Sequence, residues 1–214
     1  MKDLWFIRHA ESLANIGRAT STPREIPLSD KGLAQAQALA SAIDVRPDLI
    51  VLSPYQRALQ TAAPLLERFP NVRTETLNVQ EFTYLSISRC RGTSQEERKP
   101  WVVEYWQRAD PNYCDGDQAE SFAEFLNRCE RFTFAMRGRE FELAFVFTHE
   151  QFIKGVLWNG LGLVPGISSV SMTAFDKYMC SFTIPNTSIL PVKIDDDGQF
   201  FFGPIDALTE KANA

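Results

Sequence analysis

Four side chains able to do chemistry follow three short apolar runs of the sequence. Arg8 and His9 come directly after the first run and Arg57 shortly after the second. His149 comes after the third run, and the chain has no other histidine besides these two. The runs are residues 4–7, 49–52 and 144–147. Because ligands of open α/β sheets bind beyond the carboxyl ends of the strands, we expect these four side chains to share one crevice.

These residue types suit phosphoryl transfer. Guanidinium groups bind a phosphate bidentately and stabilise the charge on its oxygens in the transition state. A histidine that attacks phosphorus must be neutral, and neighbouring arginines favour the neutral ring by lowering its pKa. Because the leaving alkoxide needs a proton, we also expect a carboxylic acid with a raised pKa at the pocket rim.

The elements that must position these side chains are predicted to form an α/β fold. The apolar runs are short and do not alternate, which is typical of parallel strands covered on both faces. Helices are expected from Ser29 or Asp30 to about Ile43, from Pro54 to about Phe69, from Ser121 to about Arg137 and from Glu150 to Leu161, the last stopped by Gly162 and Pro165. A final hairpin is expected, with strands 189–194 and 200–202 around an Asp197-Gly198 turn. The order predicts a three-layer α/β/α sandwich with a mostly parallel sheet.

Two details of this prediction concern helix faces and the middle of the chain. The first helix is expected to turn Leu33, Ala36, Ala40 and Ile43 towards the core.

Residues 80–120 break the alternation of strands and helices and carry Trp101, Tyr105, Trp106 and Tyr113 among many charges. We interpret this segment as an inserted lid within a single domain, residues 1–206, followed by a tail, residues 207–214. The charged stretch 94–99 is interpreted as a solvated helix face.

The bulk composition excludes several classes of protein. The 214 residues are 44% hydrophobic with a net charge of −5, and no basic stripe indicates a nucleic-acid partner. The four cysteines form no C-x-x-C pair, which favours reduced thiols over a zinc or disulfide framework. The chain enters a strand directly after Met1, and it has no apolar run of about 18 residues. We therefore expect a cytoplasmic protein without a membrane partner, of undetermined oligomeric state.

Five motifs, in order and spacing, resemble those of the histidine phosphatase superfamily, also called the phosphoglycerate mutase-like family. The first, Arg8-His9-Ala10-Glu11-Ser12 with Asn15, is similar to its R-H-G-E-[ST] signature. The others are Pro27-Leu28-Ser29-Asp30-Lys31-Gly32, the segment from Ser53-Pro54 through Arg57-Ala58 to Thr61-Ala62, Phe147-Thr148-His149, and Pro185-Asn186-Thr187-Ser188-Ile189.

The resemblance implies a role for each matching residue. His9 would be the nucleophile and become a phosphohistidine. Arg8, Arg57 and His149 would hold the phosphoryl oxygens, with Asn15 as an accessory donor. Glu81 stands where the family places its proton donor, although Glu75 lies nearby. No metal or organic cofactor is needed.

Two residues depart from the family pattern. Ala10 replaces a glycine, which is tolerated if its φ is not positive. Glu150 replaces the glycine that usually follows the second histidine. It is either an acid in the first turn of a helix, where the helix dipole favours it, or a pocket residue that repels polyphosphates or pairs with a cationic substrate group.

The sequence favours a phosphatase acting on phosphomonoesters of a small metabolite. Alternatives are a phosphoglycerate mutase-type isomerase, a phosphoprotein phosphatase and a phospho-ligand binding module. The pocket rim would lie in residues 80–120 and 17–26, where the orientation of Arg18 and Arg24 stays open.

Overall fold

The computed structural model describes residues 1–163 and 166–206. Across these residues the chain forms one six-stranded sheet with the order β3-β2-β4-β1-β5-β6. The strands are β1 (Lys2–Arg8), β2 (Leu49–Leu52), β3 (Arg73–Thr76), β4 (Leu143–Thr148), β5 (Ile189–Ile194) and β6 (Phe200–Phe202). The four strands from β3 to β1 are parallel, whereas β5 runs antiparallel to both of its neighbours, β1 and β6. The mostly parallel sheet and the terminal hairpin are therefore confirmed.

Seven α-helices surround the sheet in the described part of the chain. They are α1 (Asp30–Ala42), α2 (Gln56–Arg68), α3 (Ile87–Cys90), α4 (Gln95–Arg108), α5 (Phe122–Arg137), α6 (Glu150–Leu161) and α7 (Ser169–Ser181). Leu39 of α1 and Leu65 of α2 pack in one core cluster with Phe145 of the central strand β4. The opposite face of β4 packs in a larger cluster with α5, α6 and α7. The predicted three layers are thus confirmed.

The helix starts follow the local capping chemistry. The Ser121 hydroxyl accepts from the Glu124 backbone while the Glu124 carboxylate accepts from the Ser121 backbone, as the capping-box prediction requires. The N-cap of α2 is Tyr55, so this helix begins slightly later than predicted. Helix α7 was absent from the predicted elements. Its capping box uses Ser168 and Ser171 instead of an acid at the third position.

The prediction that Leu33 faces the core is wrong, because this side chain is 47% exposed. Gly32 takes the buried position in the first turn of α1. A Cβ at Gly32 would lie 1.9 Å from the Glu11 carbonyl oxygen. The helix start therefore abuts the loop that follows His9, and only glycine permits this approach.

Residues 80–120 pack onto the main core. Tyr105 is 1% exposed, and Trp106 packs against the same cluster. The Trp106 ring lies 6.3 Å from that of Phe175 in α7. This segment therefore covers one side of the layered fold through its aromatic residues. The predicted stop at Pro165 and the predicted tail, 207–214, lie outside the described residues.

Within residues 1–163 and 166–206, every helix is too short or too polar to cross a bilayer.

Candidate active site

His9 lies at the carboxyl end of β1, beside the parallel strand that carries His149. Arg8 and Thr148 are partners in the register of β1 and β4, so the next residue along each strand is a histidine. The two imidazole centroids are 5.0 Å apart. The structure therefore brings together the two histidines that the sequence singled out.

Two hydrogen bonds of fixed polarity define the tautomer of His9. Its Nδ1 lies 2.7 Å from the Ala10 carbonyl oxygen, which can only accept. The Nε of Arg57, which can only donate, lies 3.1 Å from His9 Nε2. Burial, followed by the charges of Arg57 and Arg8, holds the pKa of His9 well below its usual value. The neutral ring thus carries its proton on Nδ1 and its lone pair on Nε2.

The loop before β5 fixes the backbone around the nucleophile. Asn186 Nδ2 donates to the His9 carbonyl at 2.7 Å, and the Thr187 N–H donates to the Arg8 carbonyl at 3.1 Å. Thr187 has a φ of +61°, a strained conformation for a β-branched residue. Ala10 is not among the residues with positive φ, so replacement of the usual glycine is accommodated.

Arg57 reaches His9 from the first turn of α2. Its side chain is buried, its Nη1 donates to the Pro23 carbonyl at 2.7 Å, and its guanidinium lies 5.0 Å from the centre of the Tyr55 ring. Burial lowers the pKa of Arg57 to about 10, against the opposing attraction of Glu81. Arg57 therefore remains a cation at neutral pH, held on two sides against the nucleophile.

His149 is the N-cap of α6 and is fully buried. Its Nε2 lies 2.7 Å from the Ser53 hydroxyl, while its Nδ1 is buried without a hydrogen-bond partner in the described structure. Burial, followed by the charge of Arg57, lowers the pKa of His149 well below its usual value. His149 does not line the cavity beside His9. Its predicted contact with a phosphoryl oxygen therefore stays a prediction.

Arg8 is held on one side only. Its Nη1 lies 2.7 Å from Glu150 and also donates to the Ile184 carbonyl. Its Nε is buried without a hydrogen-bond partner among the described residues. Glu150 is the first residue of α6, as one interpretation expects, and it also lines the cavity. Its carboxylate pairs with cations of this chain, Arg8 and Lys154, so the predicted effect on polyphosphates or on a cationic substrate group stays a prediction.

Glu81 lies in the same cavity as His9 and is anchored to α6. Its Oε1 accepts from the Gln151 N–H at 2.9 Å and from the Phe82 N–H at 3.3 Å. Burial raises the pKa of Glu81, in spite of the opposing charges of nearby arginines. This is the direction that a proton donor requires.

The competing acid Glu75 lies elsewhere. It is on the edge strand β3 and forms ion pairs with Arg73 at 2.7 Å and Arg139 at 3.0 Å. Glu81 is thus the one of the two acids that the fold brings to His9.

Arg18 and Arg24 are both exposed, and neither lines the cavity that contains His9.

Asn15 lies at the mouth of the cavity with its amide group oriented. Its Oδ1 accepts from the Ser12 N–H at 3.0 Å and from the Ser12 hydroxyl at 2.9 Å. Its Nδ2 makes no hydrogen bond with the described residues, so this donor is available to a ligand.

The cavity around His9 has a volume of about 570 Å³ and is lined by Arg8, Arg57, Glu81 and Glu150 among the groups described above. Another part of its wall consists of one face of α4 and one face of α7, which contribute Gln95, Arg98, Lys99, Val102 and Trp106, and Asp176, Met179 and Cys180. Stretch 94–99 is largely exposed, as the solvated-face interpretation expects, because Gln95, Glu96, Glu97 and Lys99 are exposed and Lys99 pairs with Glu96 at the surface. Three of its residues, Gln95, Arg98 and Lys99, nevertheless border the cavity, and Arg98 is half-buried.

Sequence reasoning missed two charged residues of this cavity. Lys154 is 1% exposed and forms an ion pair with Glu150 at 2.8 Å. Asp176 is half-buried and makes no hydrogen bond or ion pair with the described residues. Helical spacing of four residues links Lys154 to Glu150 and was a usable signal. Asp176 lies on a helix that had not been predicted.

Within the described part of the chain, no group of three or more His, Cys, Asp or Glu side chains is arranged to hold a metal ion.

Comparison with known proteins identifies the family to which this chain belongs. The sequence model of the histidine phosphatase superfamily (branch 1) matches residues 4–201. The chain belongs to this superfamily.

Individual relatives carry more specific names. The chain is 32% identical over 135 residues to the adenosylcobalamin/alpha-ribazole phosphatase of Salmonella typhi. That match covers 60% of this chain and 64% of the relative, so the chain spans just under two thirds of the relative's length.

Two crystal structures show the same fold. The alpha-ribazole phosphatase of Shigella flexneri superposes with a TM-score of 0.73 at 20% identity, covering 96% of each chain. A phosphoserine phosphatase mutant from Entamoeba histolytica, in complex with phosphoserine, superposes with a TM-score of 0.71 at 20% identity, covering 97% of this chain and 98% of that one.

Proposed function

We propose that this protein is a phosphatase that hydrolyses phosphomonoesters of a small metabolite through a phosphohistidine on His9. The observation that carries the proposal is the unprotonated Nε2 of His9, 3.1 Å from the guanidinium of Arg57 inside a cavity shared with Arg8 and Glu81. A phosphate entering there meets a nucleophile, two cations and an acid together.

In the first step the lone pair on His9 Nε2 attacks phosphorus. The bond from phosphorus to the ester oxygen breaks, and the protonated Glu81 gives its proton to that oxygen, so that a neutral alcohol leaves. Arg8 and Arg57 hold the phosphoryl oxygens and stabilise their charge in the transition state.

In the second step water releases the phosphoryl group. The ionised Glu81 accepts a proton from water as the water oxygen attacks phosphorus, and the bond from phosphorus to Nε2 breaks with its electron pair returning to His9. Inorganic phosphate leaves, and both His9 and Glu81 regain their starting protonation states. All the groups used are side chains, so turnover is expected to persist in the presence of EDTA.

The size and lining of the cavity favour a small substrate. A volume of about 570 Å³, closed on one side by α4 and α7, is in the range of small-molecule sites. The relatives named for alpha-ribazole and phosphoserine act on small phosphorylated compounds, and esters of both belong in the first screen.

The test is phosphate release from p-nitrophenyl phosphate and from a panel of phosphorylated metabolites, by wild type and His9→Ala. We expect wild type to turn over in EDTA and His9→Ala to lose at least 10³-fold in kcat, as expected for removal of a covalent nucleophile. A phosphohistidine should be trapped by rapid quenching under alkaline conditions in wild type alone.

Two arginines of one helix provide a matched control. Arg57→Lys should lower kcat/KM strongly, because a lysine cannot make the forked contact. Arg68→Lys, at the other end of α2 and bonded to the Ala40 and Ile43 carbonyls, should leave it unchanged. Equal turnover by wild type and His9→Ala would refute the nucleophile, and efficient 2,3-bisphosphoglycerate-dependent exchange would favour the mutase alternative.

A further inference from the structure

Glu150 stands out because it places a carboxylate against an arginine proposed to bind phosphate. The Glu150 Oε2 lies 2.7 Å from Arg8 Nη1, and its Oε1 lies 2.8 Å from Lys154 Nζ. The Arg8 and Lys154 side chains are 10% and 2% exposed, so both pairs lie in a desolvated environment. Such pairs hold geometry more tightly than they stabilise the fold.

The carboxylate leaves one edge of the Arg8 guanidinium without hydrogen-bond partners among the described residues. A guanidinium presents two forked edges, one formed by Nε and Nη2 and one by the two Nη atoms. Glu150 and the Ile184 carbonyl both occupy Nη1. The Nε of Arg8 is buried without a partner, and Nη2 makes no hydrogen bond with the described residues. The edge left free is the one suited to bidentate contact with a phosphoryl group.

Lys154 in turn fixes Glu150. Its ammonium donates to the Met179 and Phe182 carbonyls as well as pairing with Glu150, so all three of its protons are used. The Glu150 Oε1 also accepts from the Ile184 N–H at 3.2 Å. The carboxylate is therefore held from three directions, and Arg8 takes its orientation from a rigid group.

We propose that Glu150, fixed by Lys154, is a positioning residue that holds Arg8 with its Nε–Nη2 edge open to the phosphoryl group. The inference rests on the proposed function, because that function gives Arg8 its ligand. Glu150 does not touch the substrate in this proposal. It acts through Arg8, in place of the glycine that usually occupies its position.

A double variant that keeps the net charge constant separates the positioning of Arg8 by Glu150 from the effect of the Glu150 charge. Glu150→Gln alone leaves Lys154 buried without its counter-charge and endangers folding. Glu150→Gln with Lys154→Met removes one negative and one positive charge, so the net charge near the phosphate is unchanged. Thermal unfolding first establishes that this variant is folded. The matched control is Glu75→Gln with Arg139→Met, which removes an ion pair distant from the cavity.

The decisive measurement is calorimetric binding of inorganic phosphate to wild type, the double variant, the control and Arg8→Ala. We expect at least tenfold weaker binding by the double variant and by Arg8→Ala, with the control unchanged. In p-nitrophenyl phosphate hydrolysis, the double variant should also lose at least tenfold in kcat at saturating substrate.

The outcomes separate the two proposals. If Arg8→Ala weakens phosphate binding and the folded double variant binds as wild type does, the positioning role of Glu150 is refuted while the phosphate site stands. If Arg8→Ala binds phosphate as tightly as wild type, Arg8 is not part of a phosphate site, and both the assignment of Arg8 and the inference built on it fall.

Discussion

At the residue scale, the proposed nucleophile and the proposed proton donor have pKa values that are shifted in opposite directions. Burial lowers the pKa of His9 and raises that of Glu81. A neutral imidazole and a protonated carboxyl can therefore coexist in one cavity. This is the protonation state that the first step of the proposed reaction requires.

The Glu81→Gln variant tests whether Glu81 protonates the leaving group. We expect kcat/KM for an alkyl phosphate to fall by about 10² or more, because an alkoxide leaves slowly without a proton. For p-nitrophenyl phosphate we expect a loss below about tenfold, because p-nitrophenolate is a stable anion. Glu75→Gln is the matched control and should behave as wild type.

The pH profile gives an independent reading of the same variant. With alkyl phosphates, kcat/KM of wild type should decline as pH rises through the raised pKa of Glu81, since the proton donor is then lost. That basic limb should disappear in Glu81→Gln. If Glu81→Gln lowered kcat/KM equally for both substrates and the decline at high pH remained, another group would be the proton donor.

At the element scale, α4 and α7 set what the cavity admits beyond the phosphate. One face of α7 presents Asp176, Met179 and Cys180 at spacings of three and four residues. Asp176 is half-buried and makes no hydrogen bond or ion pair with the described residues, and burial raises the pKa of its carboxyl. A carboxylate in this state gains most from a hydrogen-bond donor on the leaving group.

The Asp176→Asn variant should therefore change selectivity and leave the chemistry intact. For metabolites whose alcohol carries hydroxyl or amino donors, we expect kcat/KM to fall about tenfold, the worth of a hydrogen bond to a charged group. For p-nitrophenyl phosphate, which has no such donor, the value should be unchanged. Asp44→Asn, on an exposed side chain, controls for the substitution. A uniform loss across all substrates would place Asp176 outside substrate recognition.

At the scale of the whole molecule, the two histidines link folding to pH. Both have pKa values lowered well below the unfolded value of 6.5, mainly by burial. Well above pH 6.5 both rings are neutral in the folded and unfolded chain, so this contribution to stability is fully present. As pH falls below 6.5, the unfolded chain binds protons that the folded chain does not, and stability is lost.

Urea unfolding at several pH values measures this linkage. We expect the free energy of unfolding to fall between pH 7 and 5.5, with an upper limit of about 1.4 kcal/mol per pH unit for each histidine. Glu81, with a raised pKa, contributes in the opposite direction, so the series is best run in Glu81→Gln. His9→Asn should remove about half of the slope. A flat profile over this range would contradict the lowered pKa values.

The sequence was informative where chemistry follows directly from a strand end. His9 and His149 could be located because apolar runs precede them, and Arg57 because it opens the next helix. Glu81 needed the family resemblance, since an acid outside regular structure has no periodic pattern around it. The orientation of Arg8 and the burial of Lys154 depend on contacts between α6, α7 and the loop at Ile184, which no local pattern encodes. Leu33 was misplaced because close approach to the Glu11 backbone, not hydrophobic periodicity, decides the first turn of α1.

The register of β1 and β4 has a consequence for how new specificities can arise. Arg8 and Thr148 are main-chain partners, so the hydrogen-bond ladder fixes the backbone positions from which the two imidazoles project. The α4 and α7 walls meet instead through ring contacts such as Trp106 with Phe175. Random substitutions confined to these two helix faces would therefore change which metabolites are accepted, while the backbone that carries the two histidines stays the same. Natural substitutions on the same faces can change specificity in the same way.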